Sequence, residues 1–324
     1  MQIILDTRGL QFSVRNKCFY IEGAAASRIV HPSRVSSILI TAPCRISSPA
    51  LVLAAQSQVP VTICNNWGKP EARIWSPHYL NISTLRRKQY VFTIGEKALD
   101  WAFNVIDLKI EGQLNNMAYI SDRKSSLAEE FKKSAGEIHC QVDQLQARQT
   151  RMIPSGKKEI LFVEAFAASR YWQLIGKKLP EPFVFSKRIK PHATDTSNSC
   201  INYLYGMLRN HVETSVLSFG LDPALGVIHR DGYKLPSLVF DMMEPFRPVI
   251  DRFFLEAVLN SDISPDLCEM SGTDLLLTKK GRKQIITLFN EKIKSRIRYR
   301  GSVNTVRNHI LTEVRYLIDR IKSE

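Results

Sequence analysis

Absent from this 324-residue chain is any apolar run approaching the roughly 20 residues needed to span a bilayer. A charged-then-apolar leader is also missing at the N-terminus, so the chain is expected to be cytoplasmic, with no membrane partner. Its six cysteines, Cys18, Cys44, Cys64, Cys140, Cys200 and Cys268, include no close pair. That spacing fits neither a zinc site nor the disulfide framework of a small secreted domain, and they read as reduced, mostly buried side chains. Nucleotide-binding loops are missing too: there is no GxxxxGK followed by Ser or Thr, no GxGxxG after a strand, and no HExxH helix. Internal repeats and low-complexity tracts are absent. Acidic residues are scarce relative to basic ones, 31 against 45, giving a net charge of +14. A pI near 9.6 points to a polyanionic partner, with nucleic acid favoured over a membrane surface.

What is present divides by period. Leu10, Phe12 and Val14 alternate with Gln11, Ser13 and Arg15, the spacing of a half-buried strand. Cys18–Ile21, Val35–Ile40, Val59–Cys64 and Ala72–Trp75 are further strand-length runs, and the turn residues from Asn65 to Pro70 predict that the last two form a hairpin. One helix interrupts them, with Ser48 as cap, Pro49 in its first turn and Ala50–Gln58 continuing it. Beyond Ser76-Pro77-His78 helical periodicity takes over. Leu85–Leu114 carries Tyr90, Ile94, Ala98, Trp101, Val105 and Leu114, most on one stripe. Further helices are predicted over Ser125–Gln149, Lys158–Ile175, Thr196–Leu217, Pro236–Leu259 and Val306–Ile321, with Pro236–Leu259 distorted where Pro245 and Pro248 remove donors. The expected fold class is α+β: a small β-rich N-terminal domain over 1–78, a linker over 79–85, and a larger all-α domain over 86–324.

Three acidic residues and one histidine stand out. Glu164 lies in the apolar stripe of Ile160, Ala167, Ala168, Tyr171 and Ile175, where a carboxylate is rarely unpaired; it either ligates a metal or pairs with a buried arginine or with Arg170. Asp241 and Glu244, three apart on a helix, share a face among apolar neighbours, and His229 precedes Arg230-Asp231-Gly232 at a loop edge. A carboxylate–imidazole set of this kind suits Mg2+ or Mn2+, the plainer alternatives being a structural histidine and a solvated acidic face. Basic residues form a second constellation: Lys187, Arg188 and Lys190; the cluster Lys279, Lys280, Arg282 and Lys283; and Lys292, Lys294, Arg296, Arg298 and Arg300 at nearly every second position. On a helix that last spacing wraps around the surface, so it reads as a solvated face or as phosphate contacts.

Taken together, the residues resemble the CRISPR adaptation integrases, the Cas-one family, over essentially the whole chain. The resemblance rests on Ile46-Ser47 with Ala50-Leu51, Val59-Pro60-Val61 and Asn66-Trp67-Gly68 in the first part. In the helical part it rests on four blocks. These are Glu164-Ala165 through Tyr171-Trp172; Pro191 through Asn198 to Gly206; Gly220-Leu221-Asp222-Pro223 through His229; and Ser237 through Asp241 and Glu244 to Pro248. The family often has glycine after the glutamate, where this chain has Ala165.

The resemblance implies a catalytic set of Glu164, His229, Glu244 and Asp241. Glu164, His229 and Glu244 would be the ligands of Mg2+ or Mn2+, with Asp241, the neighbouring acid that many members also carry, orienting His229 or a metal-bound water. It implies a homodimer built through the β-rich domains, paired with a small Cas-two dimer. Such an assembly would join 3′-hydroxyl ends of short double-stranded DNA fragments into a leader–repeat array by phosphodiester transfer. Exchange of one phosphodiester for another needs no nucleotide energy source, which agrees with the missing nucleotide-binding loops. A metal-dependent nuclease that hydrolyses DNA and a non-catalytic DNA-binding scaffold are the rival readings.

Overall fold

A computed structural model of the chain describes residues 2–24, 26–35, 37–64, 70–74, 83–123, 128–148, 153–230, 232 and 235–323. Residues 65–69 of the expected turn, 79–82 of the expected linker, and 125–127 and 149 of one expected helix lie outside them. The chain divides into two compact units, Met1–Ile82 and Ser83–Glu324.

In the first unit the alternating segments become two four-stranded sheets. The strands are β1 (Gln2–Leu5), β2 (Gln11–Arg15), β3 (Cys18–Glu22), β4 (Ser27–Val30), β5 (Ser37–Ile40), β6 (Arg45–Ile46), β7 (Val61–Cys64) and β8 (Pro70–Ile74). One sheet has the order β1-β5-β7-β8, the other β4-β3-β2-β6. β2 and β3 pair antiparallel through Asn16 and Lys17, whose φ values of 50° and 56° suit a tight primed turn. Helix α1 (Ser48–Gln56) packs its buried Ala50 and Ala54 into a core with Phe12, Phe19, Ile38 and Val61. Its N-cap is Ser47, one residue before the Ser48 expected, and Ser47 makes no side-chain capping bond.

The second unit is built on α2 (Ser83–Ile94), α3 (Glu96–Arg123), α4 (Ala128–Arg148), α5 (Ile153–Gly176), α6 (Thr196–Ser218), α7 (Ser237–Met243), α8 (Arg247–Leu259), α9 (Lys279–Lys292) and α10 (Val306–Lys322). The single helix expected from Leu85 breaks at Gly95, and the break changes the phase of its stripe. Ala98, Trp101 and Val105 are buried on α3, whereas Tyr90 and Ile94 on α2 are exposed. Between α7 and α8 the expected distortion is a 3-10 turn, Glu244–Phe246, with Pro245 inside it and Pro248 just beyond.

This unit is not all-α. It carries two hairpins, β9 (Cys268–Ser271) with β10 (Asp274–Leu277), and β11 (Arg296–Tyr299) with β12 (Ser302–Thr305). The second turns through Arg300 and Gly301 at φ 46° and 74°, and Arg296 and Arg298 are exposed while Ile297 and Tyr299 are half-buried. For Arg296 and Arg298 the every-second-residue spacing is therefore a strand period, while Lys292 ends α9 and Arg300 lies in the hairpin turn. All six cysteines are free, but only Cys64 and Cys200 are buried, fewer than expected. Among the described residues no helix is long and apolar enough to cross a membrane.

Candidate active site

The site is assembled by close packing of α3 on the helices around it. Gly112 lets α3 approach Pro248 so nearly that an added Cβ would stand 2.7 Å from the proline Cβ. Asn116 Nδ2, one turn on, donates to Pro248 O at 2.8 Å, satisfying a carbonyl beside the proline-distorted turn. Lys109, one turn earlier on the same buried face, reaches toward α5 and the turn. On α5, Leu161, Glu164, Ala168 and Trp172 recur at helical spacing and line one wall of a pocket. Other parts of the wall are Lys109, Arg188, Lys190, His229, Glu244 and Arg247.

His229 comes from the loop between α6 and α7, and Asp241 holds that loop. Its Oδ2 accepts Val227 N at 2.6 Å and Ile228 N at 3.0 Å, while its Oδ1 accepts His229 N at 2.9 Å. His229 Nδ1 lies 2.7 Å from the same Oδ1, so the network assigns the proton to Nδ1 and leaves Nε2 as the free acceptor. Asp241 is fully buried, and Gly226 has no room for a side chain, since a Cβ would stand 2.7 Å from Ser237 Cβ. Gln89 on α2 fastens the start of the loop, donating to Asp222 O at 2.9 Å and accepting from Asp222 N at 2.8 Å.

Glu244 opens the 3-10 turn and is 3% exposed. Its Oε1 accepts Arg247 Nε at 2.8 Å and lies 3.9 Å from His229 Nε2; its Oε2 has Lys109 Nζ at 2.5 Å, without hydrogen-bond alignment. Burial alone would raise the Glu244 pKa, but Arg247 and then Lys109 outweigh it and hold the carboxyl down at about 2. Lys109 also pairs with Glu164, and among the described residues it is the cation that does so. Burial works to lower the Lys109 pKa, and Glu244 and Glu164 outweigh it, leaving the ammonium above its ordinary value. Arg170, the partner considered for Glu164, pairs instead with Glu137 at 2.9 Å.

The structure thus brings Glu164, His229, Glu244 and Asp241 together and adds Lys109, which the sequence reading did not single out. The missed signal was of the kind that flagged Glu164: a charged residue in the apolar stripe of Val105, Ile106 and Ile110. Among the described residues no three histidine, cysteine or acidic side chains already stand as one metal's ligand set. The chemistry nevertheless suits a divalent ion. Two carboxylates and an imidazole with a fixed Nδ1 proton face one pocket, and the Lys109 ammonium already stands in for a cation between the carboxylates.

The predicted DNA contacts separate. Arg188 and Lys190 line the pocket. Arg188 Nη2 donates to Asn202 Oδ1 at 2.9 Å, Nη1 donates to Asn198 Oδ1, and the guanidinium lies over Trp172 and Tyr205. Burial pushes the Arg188 pKa below its ordinary value, opposed by Tyr205 and Asp251. Partial burial and then the Arg247 charge lower that of Lys190. Lys187 is exposed away from the pocket wall. Lys279, Lys280 and Lys283 are exposed on the first turns of α9, whose cap Thr278 accepts from Gly281 N at 2.9 Å; Arg282 is half-buried, and none of the four lines the pocket. Arg300 is tied down by Glu313 and is not a free cation.

The profile of the family described as CRISPR associated protein Cas1 matches residues 3–291. A CRISPR-associated endonuclease Cas1 from Archaeoglobus fulgidus is 27% identical over 336 aligned positions, covering 100% of this chain and 97% of its own. A Cas1 protein from Thermotoga maritima shares the fold with a TM-score of 0.80 at 19% identity, over 100% of this chain and 98% of its own. A casposase bound to its integration product does so at 0.84 and 21% identity, over 99% and 90%. The chain therefore belongs to the CRISPR-associated Cas1 family.

Proposed function

We propose that this protein is an endonuclease-type integrase of CRISPR adaptation, joining the 3′-hydroxyl ends of short double-stranded DNA fragments into a repeat array. The observation that carries the reading is the convergence of Glu164, His229 and Glu244, from three elements, on a pocket that Arg188, Lys190 and Arg247 make basic. Glu164, His229 and Glu244 would hold Mg2+ or Mn2+. When bound, the ion supplies neutralisation of the target phosphate and activation of the attacking hydroxyl.

The protein's own side chains do the rest. Asp241 fixes the His229 ring and its tautomer, so that Nε2 presents a lone pair without reorganisation. Arg247 neutralises Glu244 and, stacked 4.7 Å over the Tyr205 ring, is itself held in place. Arg188 and Lys190 are placed to take phosphate oxygens, holding the strand in register without reading bases. The exposed lysines of α9 would add sequence-independent affinity for duplex. Family membership supports a homodimer formed through the first unit and a small Cas-two dimer as partner.

Incubation with a labelled fragment carrying a free 3′-hydroxyl and a repeat-containing duplex tests the reading. A longer, joined strand supports transfer. Shortened strands alone support a hydrolytic nuclease, and metal-independent binding without any product supports a scaffold.

A further inference from the structure

We propose that the Lys109 ammonium is the resident cation of the metal-free site, and that a divalent ion binds by displacing it from Glu164 and Glu244. The proposal rests on the metal reading above. Lys109 is no surface lysine that happens to fall near an acid. Its side chain is 8% exposed and it comes from the buried face of α3. It meets carboxylates from two other elements, α5 and the turn after α7.

The partners of the two carboxylates make it a competitor. Glu244 Oε1 is engaged by Arg247 at 2.8 Å and faces His229 Nε2 at 3.9 Å, but Oε2 has only the unaligned Lys109 contact at 2.5 Å. Glu164 has Lys109 as its cation among the described residues. Without the ammonium, Glu164 would be left with no cation and Glu244 Oε2 with no counter-charge, an arrangement that costs stability unless another cation enters. An ammonium and a divalent ion cannot both sit between the same carboxylates, because their own repulsion at that separation acts in a poorly screened pocket. Lys109 therefore keeps the site assembled in the absence of metal, at the cost of weaker metal affinity: the metal binds only the fraction of molecules from which the ammonium has moved away.

The test is Mn2+ binding to the full-length, DNA-free protein, measured as loss of the free-ion electron paramagnetic resonance signal. Lys109→Met should bind Mn2+ more tightly than the wild type, on the order of 10-fold. Its metal-free form should melt at lower temperature and regain the difference at saturating Mn2+. Lys109→Arg, whose fork holds carboxylates more firmly, should bind Mn2+ more weakly than the wild type. Glu164→Ala locates the ion, since its tight Mn2+ site should disappear. Equal or weaker Mn2+ affinity in Lys109→Met overturns the proposal and leaves the metal reading intact. Absence of Mn2+ binding from the wild type and every variant overturns both. Should Lys109→Met not fold, a wild-type crystal structure with Mn2+ decides. Nζ parted from either carboxylate supports displacement, and both ion pairs intact beside the bound ion overturns it.

Discussion

Asp241→Asn is the sharpest test of how the site is held. Its two carboxylate oxygens each accept two bonds: Oδ2 from Val227 N and Ile228 N, Oδ1 from His229 N and His229 Nδ1. An asparagine offers an acceptor on one side only. Whichever way the amide turns, two donors meet an NH2 group in a fully buried position. Hydrogen bonds to a charged group contribute about 1.5–3 kcal/mol each, so losing two sets an upper limit of about 3–6 kcal/mol. The loop can relax, because the His229 side chain is 37% exposed. The expected destabilisation is therefore at the lower end, about 3 kcal/mol. Urea unfolding followed by tryptophan fluorescence reads it as a lower midpoint with an unchanged slope. Strand transfer should fall on the order of 10- to 100-fold, with part of the loss recovered at high Mn2+, because His229 is still present but no longer held. Wild-type midpoint and wild-type transfer would refute the reasoning. Complete loss that no Mn2+ concentration relieves would refute it differently, placing Asp241 in direct contact with metal or substrate.

Alanine at Glu164, His229 or Glu244 should abolish strand transfer while leaving duplex affinity nearly intact, and double variants should be no worse than single ones; a gel-shift titration beside the transfer assay checks this. Glutamate at Lys279, Lys280 and Lys283 should act in opposite directions on stability and binding. α9 has no acidic residue in its first turn, so reversing charge at Lys279 and Lys280 should stabilise the helix by on the order of half a kcal/mol per site, with Lys283, a turn further in, adding little. The same changes should flatten log affinity against log salt by up to roughly one unit per lost phosphate contact, and an unchanged slope would mark the cluster as a solvated face. The third concerns Asp251, whose carboxyl burial pushes up from 3.8 to about 6 against hydrogen bonds from Tyr205 and Tyr171. Between those values the folded state binds the extra proton, so stability should fall as pH rises from about 4 through about 6, by at most about 3 kcal/mol. Asp251→Asn should flatten that segment of the stability–pH curve, and a slope that persists in the variant would place its origin elsewhere.

Which parts of the fold are legible in the sequence follows from what drives each element. β2 and β3 announce themselves because their own alternation, with Phe12 and Phe19 inward, matches the buried face they build. The interruption between α7 and α8 is legible because Pro245 and Pro248 act on the backbone directly. In the first unit the strands that sequence reading passes over, β1, β4 and β6, all lie at sheet edges. β4 reads exposed, exposed, exposed, buried, and β6 has two residues. Their extended form comes from pairing with a neighbour and leaves little pattern of its own. The β11–β12 hairpin is missed for a different reason. Its period-2 spacing is present in Arg296, Ile297, Arg298 and Tyr299, but the charges draw the eye to a surface and away from the strand.

At the site, the informative sequence feature is charge inside an apolar stripe, and that feature alone selects too much. It picks Glu164 on α5, but it also picks Lys109 on α3, Asp251 on α8 and Glu313 on α10. What separates them is the identity of the partner, which depends on contacts distant in sequence. Glu313 accepts Tyr299 OH at 3.0 Å and Arg300 Nε and Nη2 at 2.9 Å, a closed set that fixes the last hairpin onto α10. Asp251 accepts Tyr205 OH at 2.7 Å and Tyr171 OH at 3.1 Å, which braces α8 against α5 and α6. Neither lines the pocket, whereas Glu164, Glu244 and Lys109 do. A buried carboxylate held by fixed donors, and set away from the pocket, is not poised to take a ligand. Glu164, neutralised by the Lys109 ammonium among the described residues, and Glu244 Oε2, left to the same ammonium while Arg247 holds Oε1, can exchange it for another cation. The difference lies in the replaceability of the partner, and the pairing of residue 109 with residues 164 and 244 has no trace in local periodicity.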